Sequence, residues 1–371
     1  MQKLVNWDYI KQVKDPYLFF KTFFISKNRF SKKFDRVLIV NPCLVGDFIV
    51  SLPALSSFIK NNRKLKVDLI VTPPLKKLAQ NIKGVRKVFV SSSSTFRDIE
   101  KIDSIIHKFP NYDEVIVMRI SNHSYNLIKK VKMGKIKTPL VKFFKYSSHS
   151  IVDVFAKRKP IQRREIDFDI LGQKFSHVAF EDIFDFDKKD YQRIRENSVM
   201  KTKDKIIIIH IGPVWIMRKW DNNKWTELIR KINSLGKFRF IFVGSKEAEL
   251  DYKEIASKLD FKVYSFINKI DIMDLMLVLR LSNYLIGVDS GPRNMAHLAD
   301  LRSITLFGPA ASGAIYMPWD KKDIIIDKSN GGGLYQALFY KKNKFIDKIS
   351  AEEVFKAFKK LMRISKNKTS H

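Results

Sequence analysis

Val37-Leu38-Ile39-Val40 runs into Asn41-Pro42-Cys43-Leu44-Val45-Gly46-Asp47 and then Phe48-Ile49-Val50-Ser51-Leu52-Pro53-Ala54-Leu55. Four consecutive apolar residues, three of them β-branched, read as a strand buried on both faces. Gly46 permits close backbone approach, and the apolar pattern after it reads as a helix over residues 47–60. Buried strand, glycine turn and helix form the first half of a βαβ unit. That makes the class α/β with parallel sheets.

The same rhythm continues outward. Val67-Asp68-Leu69-Ile70-Val71, Val88-Phe89-Val90 and Val115-Ile116-Val117-Met118 read as further strands, with helices over 75–82 and 96–109. A second series opens at Lys205-Ile206-Ile207-Ile208-Ile209. It continues through Phe240-Ile241-Phe242-Val243, Tyr284-Leu285-Ile286-Gly287-Val288 and Ile304-Thr305-Leu306-Phe307, with helices over 225–235, 247–259 and 272–281. The charged stretch 182–204 reads as the boundary. A last amphipathic helix over 351–362 follows Ser350, which forms a capping box with Glu353. The expected organisation is a basic aromatic segment, 1–34; a Rossmann-like domain, 35–185; a second Rossmann-like domain, 186–350; and a helix with its tail, 351–371. Doubly wound domains place ligands outside the carboxyl ends of their strands.

Composition narrows the function classes. Hydrophobic residues make up 45% of the 371, which suits a folded protein rather than a disordered one. A single cysteine, Cys43, excludes a disulfide framework and any multi-cysteine zinc or iron–sulfur site. No apolar run approaches the roughly 20 residues needed to cross a bilayer. In residues 1–34, Trp7, Tyr9, Phe19, Phe20, Phe23 and Phe24 alternate with lysines. This is no signal peptide; it either lies in a membrane interface or packs as an ordinary amphipathic helix. Seventy Lys and Arg against 38 Asp and Glu give a net charge of +32. That is either a lysine-rich solvated surface or a field that holds the protein near phosphate-rich partners.

Four constellations carry chemistry. Gly46-Asp47 stands at the end of the first strand, where Asp47 either faces a ligand or caps the following helix. His210-Ile211-Gly212-Pro213 with Arg218-Lys219-Trp220 offers cations for a diphosphate, or surface cations beside packed tryptophans. Gly244-Ser245-Lys246-Glu247 with Glu249 offers carboxylates for ribose hydroxyls, or acids that complement a helix dipole. Gly287-Val288-Asp289-Ser290-Gly291-Pro292 is the most specific, because a strand ending in Asp-Ser-Gly leads at once into a helix start suited to phosphate. Asp167-Phe168-Asp169 and Asp185-Phe186-Asp187 resemble a metal-binding pair but fall late in the first domain and at its boundary, so no metal site is expected. No G-x-G-x-x-G, Walker A or nucleic-acid motif occurs.

Gly46-Asp47 with Ser51-Leu52-Pro53-Ala54-Leu55, Lys219-Trp220, Asp289-Ser290-Gly291-Pro292 and Leu306-Phe307-Gly308-Pro309, in that order, resemble the ADP-heptose:lipopolysaccharide heptosyltransferases, glycosyltransferase family nine. The resemblance implies a GT-B fold, two Rossmann-like domains facing a central cleft. It also implies inverting, metal-independent transfer from ADP-heptose to the inner core of lipopolysaccharide, with no cofactor. Carried over, Asp47 is the general base and Lys219 neutralises the leaving diphosphate. Glu247 or Glu249 holds the ribose, and Asp289, Ser290 and Gly291 face the donor sugar and phosphates. On the acceptor side, Gly46 is joined by Lys142 and Lys145. These two belong to the run 129–164, which has twelve Lys or Arg, one acid (Asp153), and Phe143, Phe144 and Tyr146 interleaved.

That run is expected to meet the phosphorylated lipid A–core acceptor and the anionic inner-membrane surface, with the protein cytoplasmic and peripheral. The family usually has a His about three residues after the Asp-Ser-Gly triplet. Here either two residues are inserted before His297 or Arg293 replaces that His. The competing readings are a related transferase using another nucleotide sugar or acceptor, and a non-catalytic basic protein that binds membrane or nucleic acid. The latter leaves Asp47 and the Asp289 turn without a purpose.

Overall fold

The computed structural model describes residues 35–91, 112–118, 135–137, 163–212, 219–307, 322–328 and 345–364. The chain divides into two compact units, Met1–Asp185 and Phe186–His371. The basic aromatic segment 1–34, the helix expected over 96–109, Lys142 and Lys145, Arg218, and Gly308-Pro309 lie outside the described residues.

The first unit is built from β1 (Arg36–Val40), α1 (Val45–Asn61), β2 (Lys66–Val71), a 3-10 turn (Pro73–Leu75), α2 (Lys76–Gln80), β3 (Val85–Val90), β4 (Glu114–Val117), β5 (Lys135–Lys137), α3 (Arg163–Ile170) and α4 (Phe180–Ile183). Its sheet is parallel throughout, in the order β3-β2-β1-β4-β5. β1 is central, and Val37, Leu38, Ile39 and Val40 are all buried. A central parallel strand has no solvent face, which is why its sequence does not alternate. Leu38 and Val40 pack with Ile70, Tyr112, Val115 and Val117 on one side of the sheet. A buried acid in β2, Asp68, is satisfied by Arg86 Nε (2.9 Å) and the Tyr112 hydroxyl (2.7 Å). The carboxylate and burial together push the Tyr112 hydroxyl far above its ordinary range, with burial the larger cause.

The second unit opens with α5 (Lys188–Glu196), inside the stretch read as a boundary. Asp187 and Asp190 give that helix a capping box, so its charges are those of a short surface helix. Then follow β6 (Lys205–His210), α6 (Asn222–Asn233), β7 (Phe238–Phe242), a 3-10 turn (Lys246–Ala248), α7 (Glu249–Ser257), β8 (Tyr264–Ser265), α8 (Ile272–Leu281), β9 (Tyr284–Val288), α9 (Gly291–Leu298), β10 (Arg302–Phe307), β11 (Asp323–Asp327), a 3-10 turn (Phe345–Lys348) and α10 (Ala351–Arg363). The strands are again all parallel, in the order β11-β10-β9-β6-β7-β8.

Helix α10 belongs to this unit's core. Ala351, Val354, Phe358 and Leu361, spaced three and four apart, are its buried stripe, and Ser350 and Glu353 form the expected capping box. Trp220 and Trp225 meet edge to face at 4.8 Å beneath it, and the Trp220 indole donates to the Ile349 carbonyl at 3.0 Å.

In each sheet the strand order reverses at one place: between β1 and β4 in the first unit, and between β6 and β9 in the second. At such a reversal the connections leave for opposite faces and open a crevice at the carboxyl ends of the strands. Residues 41–47 follow β1, and His210 and Asp289 end or follow β6 and β9. Three of the four constellations singled out in the sequence therefore begin at the reversals.

Candidate functional site

In the first unit the loop after β1 is held by side chains rather than by regular structure. Asn41 is buried; its Nδ2 donates to Ser51 Oγ at 2.9 Å, and Ser51 Oγ donates to the Phe48 carbonyl at 2.7 Å. Cys43 Sγ donates to Asn41 Oδ1 at 3.2 Å, and Thr72 Oγ1 donates to the Cys43 carbonyl at 3.0 Å. These bonds tie the turn to α1 on one side and to the end of β2 on the other. Leu44, 64% exposed, takes the N-cap position without any side-chain bond. Asp47 is therefore not the cap. It is the third helical residue, half-buried, with Gly46 immediately before it at the positive end of a 17-residue helix. That placement leaves the cap role aside and keeps a carboxylate at the reversal of the first sheet.

In the second unit Lys219 precedes α6. Its Nζ lies 2.6 Å from Asp251 Oδ1, on the first turn of α7. Asn222 Nδ2 joins the same Asp251 oxygen at 2.9 Å and reaches Glu254 Oε2 at 2.6 Å. The structure thus brings Lys219 to the helix that begins with Glu249. Glu247, exposed on the preceding 3-10 turn, has its carboxyl held below the usual range by the Ser245 hydroxyl and by its own backbone N–H. Glu249 forms an i,i+4 pair with Lys253 at 3.2 Å. Asp251 was not among the residues expected from sequence. Several acids crowd this segment, and only the fold selects the one facing Lys219.

Asp289 follows β9, is buried, and takes a backbone bond from its own N–H to the Leu306 carbonyl at 3.1 Å. Ser290 stands at the N-cap of α9 in extended backbone, and its hydroxyl turns back to the Val288 carbonyl (3.2 Å) instead of capping the helix. Gly291 opens the helix, and Pro292 removes one of the first amide donors. α9 is unbroken, so the position three residues beyond Gly291 is Asn294, which is buried. His297 lies one turn farther, with Nε2 3.2 Å from Asp323 Oδ2. It joins a buried cluster against β11 rather than the turn at Asp289.

His210 closes β6 directly opposite Gly287 in the register. A methyl group on Gly287 would come within 2.9 Å of His210 Cβ, so the strand needs glycine there. The imidazole is buried, its Nδ1 bonds the Val243 carbonyl at 3.1 Å, and burial pushes its pKa down to about 4 against that bond. The ring is therefore neutral, with the proton on Nδ1, and adds no charge for a diphosphate. Among the described residues no group of three or more His, Cys, Asp or Glu gathers to hold a metal ion. Nor is any described helix long and apolar enough to cross a membrane.

Comparison with known proteins places this architecture. A family model described as glycosyltransferase family 9 (heptosyltransferase) matches residues 110–333. Lipopolysaccharide heptosyltransferase 3 of Escherichia coli (strain K12) is 23% identical over 336 residues, covering 85% of this chain and 95% of that protein. The crystal structure of a family 9 glycosyl transferase from Veillonella parvula DSM 2008 superposes with a TM-score of 0.70 at 16% identity, over 88% of this chain and 97% of that one. E. coli heptosyltransferase WaaC with ADP-2-deoxy-2-fluoro heptose gives 0.64 at 18% identity, over 88% and 99%. These likenesses fix the fold as GT-B, built from two Rossmann-like α/β units.

Proposed function

The chain belongs to glycosyltransferase family 9 and is a glycosyltransferase, and from that premise we propose that it moves heptose from ADP-heptose to the inner core of lipopolysaccharide. Transfer is direct, inverts the anomeric centre and needs no metal. The observation that carries this reading is the Asp289-Ser290-Gly291 turn at the strand reversal of the second sheet. The related proteins support the donor and acceptor, since one was solved with an ADP-heptose analogue and another is named for lipopolysaccharide.

The residues divide the chemistry by charge. Asp47 takes the proton from an acceptor hydroxyl, whose oxygen then attacks the anomeric carbon. The bond from that carbon to the diphosphate oxygen breaks and ADP leaves. Lys219 exchanges Asp251 for the diphosphate and offsets the negative charge that grows there, aided by the amides at the start of α9. Glu247 or Glu249 accepts hydrogen bonds from the ribose. The Asp289 carboxylate is an acceptor only and repels phosphate, so it serves sugar hydroxyls. The protein works at the cytosolic face of the inner membrane, where its net charge of +32 favours anionic lipid and a phosphorylated acceptor.

A thermal-shift panel of nucleotide sugars, with and without chelator, tests the donor. ADP-heptose at 100 times its Kd should add about 2.7 kcal/mol of stability, and chelator should change neither binding nor turnover. A larger shift with another nucleotide sugar would replace the donor while leaving the family unchanged. Loss of turnover with chelator would restore a metal to the mechanism.

A further inference from the structure

Helix α9 buries an arginine that the transfer chemistry does not use. Arg293 is 1% exposed. A guanidinium stays charged at any pH the protein meets, so it is buried only where carboxylates face it closely. Two do. Asp323 Oδ2 lies 3.0 Å from Nη2, and Asp289 Oδ1 lies 4.0 Å from Nη1. The guanidinium carbon also sits 5.0 Å from the centre of the Phe307 ring. Behind it, Asp323 is held by the Ser303 hydroxyl at 2.8 Å and by His297 Nε2 at 3.2 Å. Burial by itself would push the Asp323 carboxyl up. His297, Arg293 and Ser303 outweigh it and hold the group well below the usual range, so Asp323 is a fixed negative charge.

The order of these contacts has a direction. Asp323 begins β11, and Ser303 lies beside it in the register on β10. His297 and Arg293 lie one turn apart on α9, and Asp289 stands just ahead of that helix. One amino group of Arg293 is anchored on the sheet, and the other faces the carboxylate of the donor turn. We propose that Arg293 is a positioning residue: tethered to Asp323, it holds the Asp289 carboxylate in the orientation that meets the hydroxyls of the transferred sugar. This rests on the reading of Asp289 as a donor-sugar contact. Lysine is a poor substitute, because a single compact ammonium cannot face two carboxylates as the planar fork does.

The test uses Arg293→Lys, Arg293→Met and the double variant Arg293→Met/Asp323→Asn. The double change removes a matched pair of charges and keeps the test alive should the single Met variant fail to fold. Each is measured for thermal midpoint, for kcat/KM with ADP-heptose, and for the inhibition constant of ADP, which lacks the transferred sugar. In the folded variants kcat/KM should fall by about 10- to 100-fold, as expected when a misplaced Asp289 carboxylate loses its charge-assisted hydrogen bond to a sugar hydroxyl, with the ADP constant unchanged and the Lys variant least affected. A merely structural role would lower kcat/KM only in step with the folded fraction read by circular dichroism, or would distort the whole donor site and weaken ADP as well. Folded variants with wild-type kcat/KM, or with both quantities changed in proportion, overturn the proposal. A wild-type protein that neither turns over ADP-heptose nor is inhibited by ADP overturns the donor reading itself, before any variant is made.

Discussion

Acid should weaken the second unit through His210, and the effect can be isolated. In the folded state the Nδ1 proton is committed to the Val243 carbonyl, and Nε2 has no partner among the described residues. Adding a proton at Nε2 would bury an unpaired charge, so burial sets the pKa at about 4, against 6.5 for a free imidazole. Between those values the unfolded chain binds a proton that the folded chain refuses, so unfolding free energy rises with pH across that window. From pH 7.5 down to 5 the loss attributable to this group is about 2 kcal/mol, and over the whole window about 3 kcal/mol, at about 1.4 kcal/mol per pH unit. His210→Asn removes the titration and retains an amide that can donate to Val243. Urea denaturation of both proteins at half-unit steps from pH 7.5 to 4.5 gives two stability curves. The wild-type curve should fall away from the variant's by that amount, most of it below pH 6. Parallel curves would mean that the imidazole takes a proton in the fold without penalty, and the account of its burial would be wrong.

Asp47→Ala should lower kcat by about 10²–10⁴-fold while leaving ADP affinity unchanged by calorimetry; wild-type turnover would assign Asp47 to the helix alone. Lys219→Ala should weaken ADP binding by about tenfold or more. Its stability should change by no more than about 1 kcal/mol, because the pair with Asp251 is partly exposed. Equal ADP affinity in calorimetry would move the diphosphate elsewhere. Phe358→Ala should cost about 3–5 kcal/mol in chemical denaturation, because the ring is fully buried, 5.0 Å from Tyr284 and 5.8 Å from Phe238. A loss under 1 kcal/mol would mean that α10 adds little to the core.

The central strands were legible because burial on both faces leaves an unbroken apolar run, as in residues 37–40 and 206–209. β5, Lys135–Lys137, and β8, Tyr264–Ser265, gave no such signal, being two or three residues long and at the sheet edges. β11 offered only Ile324-Ile325-Ile326 between acids, a trace that was there to be read. The turns at Asp47 and Asp289 could be found because glycine and strand ends leave a local mark. Pairs that depend on distance could not. Nothing near Lys219 names Asp251, 32 residues on, and nothing near Arg293 names Asp323, 30 residues on. The departure around His297 was visible as spacing. Its meaning, a histidine drawn into a buried charge cluster, needed the strand that supplies the opposite charge.

The bond from the Trp220 indole to the Ile349 carbonyl spans 129 residues, and that span sets an order on synthesis. A ribosome adding about 5–20 residues per second makes the acceptor about 6 to 26 s after the donor. Throughout that interval the two tryptophans and the strands around them lack the segment that covers them. The first unit waits almost as long, since Ser56 on α1 donates to the Asp182 carbonyl 126 residues on, but it is complete at Asp185 while the second is still being made. A message broken before codon 350 would therefore yield one finished unit joined to a sticky, half-closed one. Cells making this protein should depend on holdase chaperones twice during translation, once before each unit receives its closing segment.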